Sequence, residues 1–164
     1  MSDPIEKSRL DLSAYLPYRL SILSNTVSSA IAALYEQKHQ LSVADWRIMA
    51  VLGMEPDRAL TQTELCSRTR MDKVQVSRAI KRLLNMGHVD RIMDPKDRRR
   101  AYLTLTKPGQ RVYDDVAPIT LAWERAFLSR LSKADAQTLD VMLTLLQTIA
   151  DEMSVQKPCP PSEP

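Results

Sequence analysis

Apolar residues along much of the chain recur at intervals of three and four, the period of an amphipathic helix. The first stripe predicts one long helix over residues 12–39, with Pro17 near its first turn. A second helix is predicted over residues 43–54, opened by a capping box between Ser42 and Asp45. Near the other end, a helix beginning at about residue 132 carries an apolar packing stripe: Leu139, Met142, Leu146, Ile149 and Met153.

Two shorter helices are predicted between these elements. A capping box from Thr61 to Glu64 opens one that ends near residue 67. Asp72 caps the next helix, and Gly87 is predicted to end it by adopting a left-handed conformation. One face of this second helix is apolar and the other is polar and mostly basic, which is typical of a helix-turn-helix. The apolar face holds Val76, Ala79, Ile80, Leu83 and Leu84, and the polar face holds Lys73, Gln75, Arg78, Lys81 and Arg82.

The period then changes to two. Residues 88–93 and 100–105 alternate as short strands, and the polar turn at 94–99 joins them. A charged β-hairpin directly after a helix-turn-helix predicts a wing. Thr106 and Pro108 then begin a helix that reaches about residue 130 and is kinked at Pro118.

Composition supports a mainly α fold, because only three glycines occur and 44% of the 164 residues are apolar. No segment resembles a signal peptide or a membrane span, so we expect a cytoplasmic protein without membrane contact. Cys66 and Cys159 are far apart and lack metal-ligand spacing, which predicts no metal and no cofactor. Two histidines without nucleophile or carboxylate partners, and no glycine-rich loop, argue against an enzyme.

Charge is distributed unevenly. Eleven basic and four acidic residues lie from Arg68 to Arg100, a net charge of +7. The rest of the chain has 12 basic and 16 acidic residues, a net charge of −4. One basic block in an otherwise acidic protein indicates a polyanionic partner for that region, although a solvated charged face would have the same composition.

The order of elements over residues 12–153 resembles the MarR family of bacterial transcriptional regulators. The resemblance is carried by residues 71–78, 83–89, 94–99 and 103–106, and by Gly109. It implies a winged helix-turn-helix fold and a homodimer that binds double-stranded DNA at a pseudo-palindromic operator. Four regions follow: a dimerisation helix over 1–40, a DNA-binding domain over 41–106, dimerisation helices over 107–154 and a disordered tail over 155–164. The wing departs from the family in having Lys96 where an arginine is common.

A recognition helix presents the side chains of its N-terminal half to base edges in the major groove. Gln75 and Arg78 are therefore predicted to contact bases, as a pair suited to adenine and guanine. Phosphate contacts are predicted for Lys73, Ser77, Lys81 and Arg82, and for Ser77 a base contact is the alternative. In the wing, Arg98 and Arg99 are predicted to enter the minor groove beside Lys96, with Asp94 and Asp97 pairing with the arginines.

The resemblance also implies a repressor that is released by a small aromatic acid or an aromatic acyl-coenzyme A. The residues predicted to line the effector cleft are Tyr18, Arg19, His39 and Trp46. Arg19 suits a carboxylate, and an inter-helix salt bridge is an equally good interpretation. Two alternatives stay open: a winged helix that binds protein instead of DNA, and a regulator that senses thiol oxidation at Cys66.

Overall fold

The computed structural model describes residues 10–94 and 100–155 of the chain. Within these ranges the fold is mostly helical with a small antiparallel sheet, as the sequence predicts. The elements in chain order are α1 Leu16–Ala32, α2 Glu36–His39, α3 Val43–Met54, β1 Leu60–Thr61, α4 Gln62–Thr69, α5 Lys73–Asn85, β2 Val89–Met93, β3 Ala101–Leu105, α6 Lys107–Leu128 and α7 Lys133–Val155.

The sheet has three strands in the order β1-β3-β2, so the predicted hairpin gains a strand that the sequence pattern missed. Strands β2 and β3 pair from Val89 opposite Leu105 to Met93 opposite Ala101. On the other edge of β3, Leu60 pairs with Leu103. The segment between α3 and α4 therefore attaches the start of α4 to the middle of β3.

The single helix predicted over residues 12–39 is wrong at its start and interrupted near its end. Helix α1 begins at Leu16, so Pro17 lies in the first turn, where its missing N–H costs no hydrogen bond. The chain then forms a tight turn after Ala32, in which the amide of Tyr35 donates to the carbonyl of Ala32 at 3.1 Å. This turn directs Tyr35 into the core, where it is 1% exposed, before α2 begins.

The predicted helix caps are confirmed. Ser42 and Asp45 form a reciprocal capping box on α3, and Thr61 and Glu64 form one on α4. Asp72 caps α5 by accepting from the amide of Gln75 at 2.8 Å. These side chains accept hydrogen bonds from amides that have no partner inside the helix, which fixes where each helix begins.

One hydrophobic core joins α3, α4, α5 and the sheet. Its fully buried members include Ile48, Leu65 and Leu83. The start of α6 is packed closely against this core, because a Cβ atom on Gly109 would overlap the backbone carbonyl of His88. The position therefore requires glycine, and α6 begins directly against the last residue before β2.

The chain forms two compact units, Met1–Thr120 and Leu121–Pro164, so α6 runs across the boundary. The first unit contains the core. In the second unit, none of the side chains described at residues 121–154 is buried, although many are apolar. The division of the chain into dimerisation and DNA-binding regions at residues 40 and 106 stays a prediction.

Candidate nucleic-acid interface

Helix α5 has one buried and one exposed face. Val76, Ala79, Ile80 and Leu83 are buried, and Leu84 is half-buried. Burying these side chains against α3 and α4 holds the helix in place with its opposite face in solvent. The exposed face carries all the residues of this helix that are predicted to contact DNA: Lys73, Gln75, Ser77, Arg78, Lys81 and Arg82.

The turn between α4 and α5 sets the angle at which α5 is presented. Arg70 adopts a left-handed conformation with φ of 53° and ends α4. The next residue, Met71, is 8% exposed and anchors the turn in the core. A buried residue between two capped helices fixes the helix-turn-helix without a glycine in the turn.

Arg82 is held by an intramolecular network. Its Nη2 atom lies 2.8 Å from Oδ1 of Asp45 and 2.6 Å from Oγ of Ser42, and its Nε atom lies 3.2 Å from the same Asp45 oxygen. The Asp45 side chain is 2% exposed, whereas that of Arg82 is 53% exposed. Arg82 therefore ties the last turns of α5 to the capping box of α3, a partnership that the phosphate-contact prediction did not include.

The wing follows α5 directly. The amide of Asp94 donates to the carbonyl of Arg100 at 3.0 Å, which extends the β2–β3 ladder toward the tip. The Tyr102 hydroxyl donates to a carboxylate oxygen of Asp94 at 3.3 Å. The predicted minor-groove residues Lys96, Arg98 and Arg99, together with Asp97, lie outside the described residues.

A cationic cavity of about 480 Å³ lies where α4, α5 and the sheet meet. Three of its lining residues, Lys73, Arg91 and Arg100, are basic, and the N-terminal turn of α4 contributes Gln62 and Thr63. Arg91 and Arg100 were counted in the basic block but were not predicted as contact residues. Arg91 lies on β2 and Arg100 directly precedes β3, so the two side chains border this cavity together only once the hairpin has folded.

Cys66 also lines this cavity. It is half-buried and forms no disulfide. It packs against the hydrophobic core on one side and borders the cavity on the other. Cys159 lies outside the described residues.

The acidic side chain in the first turn of α4, Glu64, is stabilised as a carboxylate. The backbone and side-chain hydrogen bonds that Thr61 donates hold the pKa of Glu64 below its usual range. Arg58 adds an ion pair with Glu64 at 3.0 Å. The capping box of α4 is therefore intact at neutral pH.

The four residues predicted for the effector cleft lie in two places. Tyr18 and Arg19 line a cavity of about 600 Å³ along α1. Its other lining residues are mostly apolar: Ser13, Leu16, Leu20, Ile22, Leu23 and Thr26. The Arg19 guanidinium makes no hydrogen bond or ion pair with the residues that the structure describes.

His39 and Trp46 pack instead between α2, α3 and the first part of α6. The centroid of the Trp46 ring lies 5.7 Å from the ring centroid of Tyr35 and 5.9 Å from that of Tyr113. The Nε2 atom of His39 is 3.7 Å from a carboxylate oxygen of Asp115. Neither residue lines the α1 cavity, so these contacts favour a structural role for both.

His88 lies close to this cluster. Burial, together with the nearby imidazole of His39, lowers the pKa of His88. Its neutral form is thus favoured in the folded protein, in keeping with its position between α5 and the wing.

The described residues contain neither a candidate membrane span nor a cluster of metal ligands. No helix in them is both long and apolar enough to cross a membrane. No group of three or more His, Cys, Asp and Glu side chains in ranges 10–94 and 100–155 is arranged to hold a metal ion.

Similarity to known proteins covers the region from α2 to the start of the hairpin's second strand, and at the level of fold most of the chain. Residues 39–100 match the model of the MarR family. The HTH-type transcriptional regulator BilQ of Clostridium symbiosum is 29% identical over 113 residues, which cover 69% of this chain and 75% of that protein.

Solved structures share the fold. A MarR/EmrR family transcriptional regulator from Acinetobacter sp. ADP1 superposes with a TM-score of 0.77 at 22% identity, covering 87% of this chain and 99% of the other. MepR of S. aureus in complex with DNA gives a TM-score of 0.74 at 19% identity, covering 82% of this chain and 97% of the other. Residues 39–100 are therefore similar to the MarR family, and the chain shares the fold of these solved regulators.

Proposed function

We propose that this protein is a homodimeric repressor that binds a pseudo-palindromic operator and is released by a small aromatic acid or an aromatic acyl-coenzyme A. The observation that carries the DNA part of the proposal is the exposed polar face of α5, held beside a β-hairpin wing. Its side chains include both bidentate hydrogen-bonding groups and phosphate-binding cations, which a protein-binding surface does not require.

The proposed base contacts come from the N-terminal half of α5. Gln75 and Arg78 are three residues apart and therefore neighbours on one helix face. Gln75 suits the N6 and N7 edge of adenine, and Arg78 suits the O6 and N7 edge of guanine. Lys73, Ser77 and Lys81 flank this pair and suit phosphates, and we add Arg91 from the adjoining strand.

The wing completes the proposed interface. Lys96, Arg98 and Arg99 belong to the tip of the hairpin, and the minor groove concentrates negative potential that attracts such side chains. This part of the proposal rests on the sequence and on the β2–β3 pairing that leads to the tip.

The proposal of a homodimer rests on exposed apolar surface. On α1, Leu16, Ile22 and Leu23 are each about half exposed. On α7, four of the five residues of the predicted packing stripe are exposed, Leu139, Met142, Ile149 and Met153, and Leu146 is half-buried. Monomers rarely leave apolar stripes of this kind in water, and a second copy would bury each of them. A dimer places two recognition helices about one turn of DNA apart.

The DNA-binding proposal predicts a steep dependence on salt. Each phosphate contact releases counterions, and six to ten contacts per dimer give a slope of log K against log salt of about −5 to −9. Fluorescence anisotropy with an operator selected from random duplexes, measured between 50 and 200 mM salt as a range in which such losses are about 10³-fold or more, would test this. A flat salt dependence would contradict the proposal.

The effector proposal rests on the cavity along α1. An apolar wall suits an aromatic ring, and the guanidinium of Arg19 offers two parallel donors to a carboxylate or phosphate. Because this cavity lies on a helix with an exposed apolar face, a ligand there is placed to act on how two subunits meet.

Replacing Arg19 with methionine is expected to weaken effector binding by about 10- to 150-fold, since a hydrogen bond to a charged group contributes about 1.5–3 kcal/mol. Thermal-shift titration with aromatic acids and aromatic acyl-coenzyme A compounds would measure it, because the stabilisation by a ligand grows with the logarithm of the ratio of its concentration to Kd. Arg47→Met is the matched control, because Arg47 contacts Ser28 outside the cavity. Equal loss in both variants, or no stabilising acid at all, would contradict the assignment.

A further inference from the structure

Val74 is an apolar residue on the otherwise polar, solvent-exposed face of α5. It is 58% exposed, whereas the other apolar residues of this helix are buried or half-buried. All thirteen residues of α5 are described, so the comparison covers the whole helix. Every other exposed position on α5 is polar: Lys73, Gln75, Ser77, Arg78, Lys81, Arg82 and Asn85.

Folding does not account for a valine here. A β-branched side chain loses rotamer freedom in a helix, and an exposed one gains no burial in return. Alanine, lysine or glutamate at this position would favour the helix more. The residue is therefore better explained by a contact that the isolated subunit does not make.

The neighbours of Val74 show what that contact faces. It lines a surface cleft with Gln62, Lys73, Ser77 and Arg78. Ser77 and Arg78 follow it by three and four residues, so the three side chains share one helix face. Val74 is also the second residue of α5, in the part of a recognition helix that meets base edges.

We infer that Val74 is a specificity-determining residue that contacts the C5 methyl group of a thymine in each half-site. Among the groups exposed in the major groove, this methyl is the apolar one, and small apolar side chains pack against it. Val74 lies between the polar side chains that carry the proposed hydrogen bonds. This inference rests on the proposed function, because it assigns one further base to the same helix.

The test uses the full-length dimer and the operator selected from random duplexes. Each thymine of a half-site is replaced in turn by uracil, which removes one methyl group and leaves base pairing unchanged. Burial of one methyl-sized group contributes a factor of about four in affinity, so replacement in both half-sites is expected to weaken wild-type binding about 15-fold at one position.

The variant Val74→Ala supplies the decisive comparison. It is expected to lose most of the discrimination between the thymine and uracil operators at that position, because alanine lacks the two methyl groups of valine. Val74→Ala removes an exposed side chain, and an unchanged Tm in circular dichroism would confirm that the helix persists.

Each result has one meaning. If no uracil replacement weakens the wild type, or if Val74→Ala loses as much affinity on uracil replacement as the wild type, the inference is wrong while the proposed function stands. If no operator can be selected at all, the proposed function fails, and the inference fails with it.

Discussion

Replacing Arg78 with alanine is expected to weaken operator binding by about 30- to 10⁴-fold without unfolding the protein. A bidentate arginine–guanine contact contributes about 1–3 kcal/mol of discrimination, and a dimer loses two of them. The Arg78 guanidinium is exposed on α5 and makes no ion pair or hydrogen bond within residues 10–94 and 100–155. Its removal therefore leaves the fold unchanged, and anisotropy with the selected operator measures the loss.

Two variants separate base reading from simple loss of charge. Arg47→Ala removes the same charge from α3, where Arg47 contacts Ser28 at 3.4 Å, and is expected to change affinity little. Arg78→Lys keeps the charge at its own position but loses the planar fork, so specificity at one base pair should relax. Full operator affinity in Arg78→Ala would instead favour a winged helix that binds protein.

The caps show what local sequence determines. A capping box needs only two residues three positions apart, so Ser42 with Asp45 and Thr61 with Glu64 were readable without tertiary information. The same holds for the left-handed residue after α5, where Gly87 has a φ of 70°. Helix starts and stops of this kind accounted for most of the fold.

Elements that depend on residues distant in the chain could not be predicted from the sequence. Strand β1 has two residues, too few to show alternation, and exists because Leu60 pairs with Leu103. The break between α1 and α2 leaves the apolar period almost intact. The break is explained by Tyr35, whose ring turns inward and packs on that of Trp46. Burial of the Tyr35 side chain raises its pKa to about 12.

The same limit applies within the candidate site. From sequence, Lys81 and Arg82 are adjacent cations on one polar helix face, and both were predicted to bind phosphate. In the structure Lys81 is exposed, while Arg82 reaches a carboxylate 37 residues away in the chain. Only folding brings Asp45 beside α5, so no spacing rule separates the two residues.

This network leads to a prediction about Asp45, whose side chain is buried and acidic beside the proposed DNA-binding helix. In Asp45→Asn, the amide oxygen still accepts from the backbone N–H of Ser42, but the charge that pairs with Arg82 is gone. Breaking a buried pair costs about 3–5 kcal/mol, and less here because Arg82 is half exposed. We expect the free energy of unfolding to fall by about 2–3 kcal/mol.

The effect on DNA binding decides what Arg82 does. If Arg82 were a free phosphate contact, removing the acidic group of Asp45 would leave more positive charge and strengthen binding. If Arg82 fixes the orientation of α5 on α3, Asp45→Asn weakens binding although the subunit becomes more positive. We expect the second result, with operator affinity reduced about tenfold or more, because a loss of about 1.4 kcal/mol in α5 positioning is tenfold.

Arg82→Met and Lys81→Met form the matched comparison. Lys81→Met is expected to lower the salt slope by about 2 per dimer with little change in Tm, as removal of one phosphate contact per subunit would. Arg82→Met is expected to lower Tm and affinity while leaving that slope nearly unchanged. In the double variant Asp45→Asn with Arg82→Met, the two stability losses should overlap by about 1 kcal/mol or more, since the residues act as one pair. Additive stability losses, or a salt slope that falls as far in Arg82→Met as in Lys81→Met, would indicate instead that Arg82 contacts a phosphate.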